Sequence, residues 1–84
     1  MQQLNSIILE GKVIAVLDEG YTFKMEHDSV EGRPLSITCH IKRPYNFNYD
    51  NFNRSVFRIV GKLCNDDYYG SIIEADFIEE HPNG

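Results

Sequence analysis

Apolar and polar positions along this chain alternate mainly with the two-residue period of β-strands, and no stretch makes a convincing long helix. Residues 7–16 are rich in β-branched side chains and apolar at both parities. That pattern predicts a long strand, buried on one face and partly covered on the other. Gly11 inside it predicts a bulge or bend of the kind that turns a barrel corner. Asp18, Glu19 and Gly20 read as a turn. In residues 21–26, Tyr21, Phe23 and Met25 are predicted to face in, and Thr22, Lys24 and Glu26 to face out. Residues 28–34 contain Ser29, Gly32 and Pro34 and read as a loop. Residues 35–42 alternate again, with Leu35, Ile37, Cys39 and Ile41 on the core face. Arg43-Pro44 ends that strand, because proline has no N–H for the ladder.

Residues 45–53 interleave aromatic rings with Asn and Asp, which favour turns, and read as a loop or a short irregular helix. Residues 55–63 follow as a fourth strand, with Phe57, Ile59 and Leu63 inward and Gly61 internal. Asn65, Asp66 and Asp67 make a turn, with Gly70 just beyond. A fifth strand over 69–78 places Ile73, Ala75 and Phe77 on one face, and residues 79–84 read as a polar, fraying tail. The prediction is one all-β domain over residues 1–80, a closed five-stranded antiparallel barrel, with a short disordered tail at 81–84.

The 84 residues are 42% hydrophobic and 25% charged, the composition of an ordinary globular chain. No apolar run is long enough to span a bilayer, and the first residues lack the basic and apolar regions of a signal peptide, so the expectation is a cytoplasmic protein with no membrane partner. Cys39 and Cys64 are expected to be reduced, buried thiols. The net charge of −5 conceals an uneven distribution. Residues 33–62 carry six Lys or Arg against Asp50 alone, whereas residues 63–84 carry six Asp or Glu and no cation. A polyanion docks according to local potential, so the basic middle third matters more than the total.

Three strings resemble the bacterial and phage single-stranded DNA-binding proteins. Residues 4–13 (Leu4, Asn5, Leu9, Gly11, Lys12, Val13) resemble their opening strand, residues 57–63 (Phe57, Ile59, Gly61, Lys62, Leu63) their fourth, and residues 71–79 their closing strand. The order holds over roughly residues 4–80. The resemblance implies the five-stranded OB-fold, binding of single-stranded DNA, and the first strand as a homodimer contact. The chain departs from the family in a short 65–70 segment, in residues 79–84 that do not match its acidic, hydrophobic tail tip, and in the absence of tryptophan. A truncated viral or primosomal-replication-protein-B-like member fits this pattern better than a full housekeeping protein.

Binding a single strand needs cations along the phosphates and flat rings against the bases. Tyr45, Phe47, Tyr49 and Phe52 lie beside Lys42, Arg43 and Arg54, the composition of a stacking platform. Phe52 and Phe47 are also candidates for lids on the barrel end, leaving Tyr45 and Tyr49 exposed. Tyr68 and Tyr69 sit at the last turn, and Lys24, Thr38, His40 and Lys42 lie on the second and third strands, the binding face of OB barrels. Lys12, Arg58 and Lys62 read as plain solvated charges. The predicted nucleic-acid site is therefore Lys24, His40, Lys42, Arg43, Tyr45, Phe47, Tyr49, Arg54, Tyr68 and Tyr69.

No catalytic constellation, phosphate loop, metal set or cofactor is expected, nor a small-molecule substrate. Cys39 and His40 are adjacent, so on a strand they point to opposite faces and cannot share a metal. The expected partners are single-stranded DNA, with RNA as the other candidate strand, and further copies of the chain. Ile8, Ile14, Val16, Val56, Val60, Ile72 and Ile78 lie opposite the core set and predict a homodimer. The rival reading is an OB barrel used for protein–protein assembly without nucleic acid.

Overall fold

The structure is a computed structural model and describes residues 6–28 and 34–82. The 28–34 loop is described only at its ends, Asp28 and Pro34, and residues 29–33 and 83–84 lie outside the described residues. Five strands form one sheet: β1 (Ser6–Leu17), β2 (Thr22–Asp28), β3 (Pro34–Ile41), β4 (Ser55–Asp66) and β5 (Gly70–Pro82). The sheet closes on itself in the order β1-β2-β3-β5-β4. Four neighbour pairs are antiparallel and β3–β5 is parallel, with Thr38 opposite Ile72 and Ile41 opposite Ala75. The all-antiparallel prediction is thus corrected to a mixed sheet. The reason is parity: strand direction reverses at every antiparallel neighbour, so a ring with an odd number of strands must contain a parallel pair.

β1 serves two partners. Residues from Ser6 to Gly11 pair with β4, and Lys12 to Leu17 pair with β2. The change of partner falls beside Gly11, where the sequence places a bend, but the bulge is at Ile14, which the β2 register skips between Val13 and Ala15. The extra residue resets the alternation. Val13 and Val16 both reach the core, while Ile14 points to solvent. This is why the strand reads as apolar at both parities, and why Val16 does not belong to the outer face.

A second bulge lies in β5. Val60 pairs with Phe77 and Gly61 with Ala75, so Asp76 is the unpaired extra residue. Here the two backbones meet: a Cβ on Gly61 would run into the Glu74 carbonyl oxygen and stand 2.9 Å from Ala75 Cα. Ile73 and Ala75 point in as expected, but past the bulge Ile78 takes the inward position and Phe77, placed in the core by simple alternation, is 54% exposed. Ile72, assigned to the outer face, is also buried, between Thr38 and Cys64 in the sheet register.

The core comprises Val13, Phe23, Met25, Cys39, Phe47, Phe57, Ile59, Ile73 and Ala75. Three other residues predicted inward are exposed. Tyr21 belongs to the β1–β2 turn. Leu35 pairs with His27 beyond the last β1–β2 pair, and Leu63 stands opposite Ile73 of β5 at 47% exposure. The tail is likewise corrected. Residues 79–82 are strand, paired with residues 55–58 of β4. Cys39 is buried and Cys64 only half-buried, and both are free thiols.

The Gly61 contact gives a stability test. Gly61→Ala forces β4 and β5 apart at the bulge and is expected to cost about 2 kcal/mol or more, a fall in Tm of about 10 °C for a domain this size. A variant melting within a degree or two of the wild type contradicts the close approach.

Candidate nucleic-acid interface

The outward side chains of β2 and β3 come together through the strand register. Lys24 stands opposite Thr38, and Thr22 opposite His40, so Lys24, Thr38 and His40 share one outer face. The β4–β5 turn is drawn onto it. The Asp66 carboxylate accepts the backbone N–H of Tyr68 at 2.8 Å and of Tyr69 at 2.9 Å. Those bonds, from Tyr69 first and then Tyr68, hold the Asp66 carboxyl below its usual range, and the charge of nearby His40 adds to them. The turn so fixed presents Tyr68 at 85% exposure, its ring against that of Tyr69 at 4.7 Å between centroids. Tyr69 in turn meets the His40 ring edge-on at 5.5 Å. The His40 Nε2 is buried and has no hydrogen-bond partner among the described residues.

Beyond Ile41 the chain leaves the sheet with Lys42, Arg43 and Pro44 exposed. Tyr45 N–H donates to the Gly20 carbonyl at 3.3 Å, and Ile41 N–H to the Tyr21 carbonyl at 2.9 Å, which sets the β1–β2 turn beside residues 41–45. Gly20 has φ +98°, and a Cβ there would stand 2.6 Å from the Tyr45 carbonyl oxygen, so both the turn and the docking need glycine. Asp18 and Glu19 of the same turn also have positive φ, 50° and 56°.

The loop rings divide differently from the expectation. Tyr45, predicted exposed, turns in. Its ring meets Phe47 and Phe57, and its hydroxyl donates to Glu80 Oε1 at 2.8 Å. Ser55 Oγ donates to the other Glu80 oxygen at 2.7 Å, so one carboxylate ties the loop, β4 and β5 together. Phe47 is buried against Phe23 and Phe57 and acts as the lid that the sequence analysis raised, which removes it from the set of accessible rings. Phe52 packs on Phe47, and Tyr49 rests edge-on against Phe52 while remaining 64% exposed. An alternation of rings in a loop carries no face information, since only a strand converts parity into direction.

The structure therefore groups Lys24, His40, Tyr68 and Tyr69 on one face, continued by Lys42 and Arg43 at the end of β3. Tyr49 stands on the lid. Arg54 lies in a 3-10 turn, Phe52–Arg54, that packs on β1 and is set apart from β2 and β3. Lys12 and Lys62 sit in register with Glu26 and Glu74, and Arg58 is held by Glu10 at 2.7 Å. Lys42 and Arg43 make no ion pair among the described residues. The sequence analysis missed two exposed rings near this set, Tyr21 and Phe77. The signal for Tyr21 was its place directly after a turn glycine, whereas the bulge that exposes Phe77 left none.

Among the described residues no three His, Cys, Asp or Glu side chains gather as a metal site would require, and no helix is long and apolar enough to cross a membrane. No protein-family model matches this sequence, and no curated protein is significantly similar to it.

The Tyr45–Glu80 bond gives a pH test. Burial, then donation to Glu80, then the Glu80 charge, push the Tyr45 hydroxyl up from 10.0 to about 12. The folded state holds this proton more tightly than the unfolded one. Its contribution is full below pH 10 and lost as pH rises through 12. Denaturant stability is therefore expected to decline across that window in the wild type and to decline less in Tyr45→Phe. Equal slopes in the two proteins contradict the assignment.

Proposed function

We propose that this chain is a non-enzymatic OB-fold protein that binds single-stranded DNA with little sequence preference, in replication, recombination or repair. The fold reading is supported by the strand order, in which a five-membered ring closes through one parallel β3–β5 pair. OB barrels bind on the strand 2–3 face, between the loops joining strands 1–2 and 4–5. In this chain those positions carry Lys24, Thr38 and His40 on the face, Tyr21 at one loop, and Tyr68 and Tyr69 at the other.

The observation that carries the reading is the mixture found there: solvent-facing tyrosines together with cations that make no ion pair among the described residues, Lys42 and Arg43 above all. Stacked rings hold bases whatever their sequence, and the cations hold phosphates. The reading includes a homodimer, supported by Ile8, which is 69% exposed on β1 and stands opposite Val60 of β4 in the sheet register. Sedimentation equilibrium checks it, and a monomer at micromolar concentration contradicts it. The same apolar row, with the net charge of −5, favours the alternative, an OB barrel serving protein assembly.

Oligo-dT titrations at two salt concentrations separate the two. With Lys24, Lys42 and Arg43 as contacts, the log–log salt slope is expected to be about −2. Tyr49→Ala and Tyr68→Ala are each expected to weaken binding about tenfold, and Arg43→Ala to flatten the slope by about 0.7. No binding even at low salt supports the assembly reading, and unchanged affinity in all three variants overturns the site.

A further inference from the structure

β3 and β5 run side by side only as far as Ile41 and Ala75. Beyond that pair Pro44 cannot continue the ladder, and the chain bends toward Gly20. β5 continues to Pro82 against β4 alone. The two strands part around an open groove of about 420 Å³, lined by residues 41–45 on one side and 75–78 on the other. Ile41, Ala75 and Ile78 contribute apolar surface, Lys42 and Arg43 bring positive charge, and Asp76 is the lone carboxylate.

Phe77 belongs to this groove because of the bulge. Without Asp76 as an extra residue the ring would point into the core. With it, the ring is 54% exposed and has no ring partner among the described residues. A large exposed aromatic beside two cations that make no ion pair among the described residues combines a stacking surface with phosphate contacts. The groove also follows directly on the β3 face, since His40, Lys42 and Arg43 succeed one another along the chain.

We propose that this groove is a nucleotide subsite of the single-strand path, with one base stacked on Phe77 and its phosphate held by Lys42 and Arg43. The proposal rests on the single-strand reading above and extends the site onto β5. Two unneutralised cations facing one carboxylate favour a phosphate-bearing occupant over an uncharged apolar peptide.

The chain contains no tryptophan, so Phe77→Trp installs a sole indole reporter. Its emission is expected to be quenched when oligo-dT is added, and the quench to fade with salt. Phe77→Ala is expected to bind oligo-dT about tenfold more weakly, and Phe77→Tyr to retain wild-type affinity, with far-ultraviolet circular dichroism showing all three folded. If wild-type protein binds oligo-dT but the indole is not quenched and Phe77→Ala binds equally well, the groove proposal falls and the reading above stands. If wild-type protein does not bind oligo-dT at all, both fall. Quenching by an oligo-glutamate peptide but not by oligo-dT makes the groove a peptide site and overturns the proposal.

Discussion

The contact between Gly61 and the Glu74–Ala75 backbone is the constraint on which the rest of this barrel depends. β4 and β5 share the longest ladder in the molecule, and at this point they approach more closely than any side chain would allow. The approach is accompanied by one unpaired residue, Asp76, and that residue inverts everything after it. Ile78 and Glu80 turn toward the interior, Phe77 turns away from it, and Glu80 comes within reach of Tyr45 and Ser55. The lid of the barrel and the exposed ring beside the groove are thus two results of one bulge. Gly20 plays a smaller, parallel part, seating the β1–β2 turn against Tyr45.

Much of this fold was legible in the residues, in proportion to how strictly each strand keeps its period. β2 alternates without interruption, and Phe23 and Met25 are fully buried as read. The turn at residues 18–20 was marked by Asp, Glu and Gly, and Pro44 marked the end of β3; the last turn, read at residues 65–67, lies two residues later, because Asn65 and Asp66 still pair with β5. Parity failed wherever a bulge intervened, at Ile14 and at Asp76, because a register shift depends on the neighbouring strand and leaves no local pattern. It also failed for Leu35, which pairs with His27 beyond the last β1–β2 pair. Residues 79–82 were taken for a tail because they are polar. They form strand because the early part of β4 needs a partner and Ser55 and Tyr45 satisfy Glu80.

The candidate site divides along the same line. Tyr49 and Tyr68 were readable as exposed because loop and turn chemistry surrounds them, and Lys24 and His40 because strand parity sets them outward. Tyr45 was not, since its direction comes from packing on Phe57, and Phe47, read both as a contact and as a lid, takes the lid position against Phe23. The charge pattern was coarser still. The basic middle of the sequence does not become one patch. Arg58 is taken up by Glu10, Lys12 and Lys62 sit across from carboxylates, and Arg54 belongs to a turn that packs on β1. What remains among the described residues is a short run, Lys24 to Arg43.

The central claim, that one face of this acidic barrel is built to receive a single strand, is tested most directly by titrating the isotopically labelled chain with oligo-dT and following backbone amide resonances. The account expects shifts confined to Lys24, residues 38–43, Tyr49, the turn carrying Tyr68 and Tyr69, and the adjoining residues 75–78, with β1 silent. Shifts centred on β1, or no shifts at low salt, contradict it.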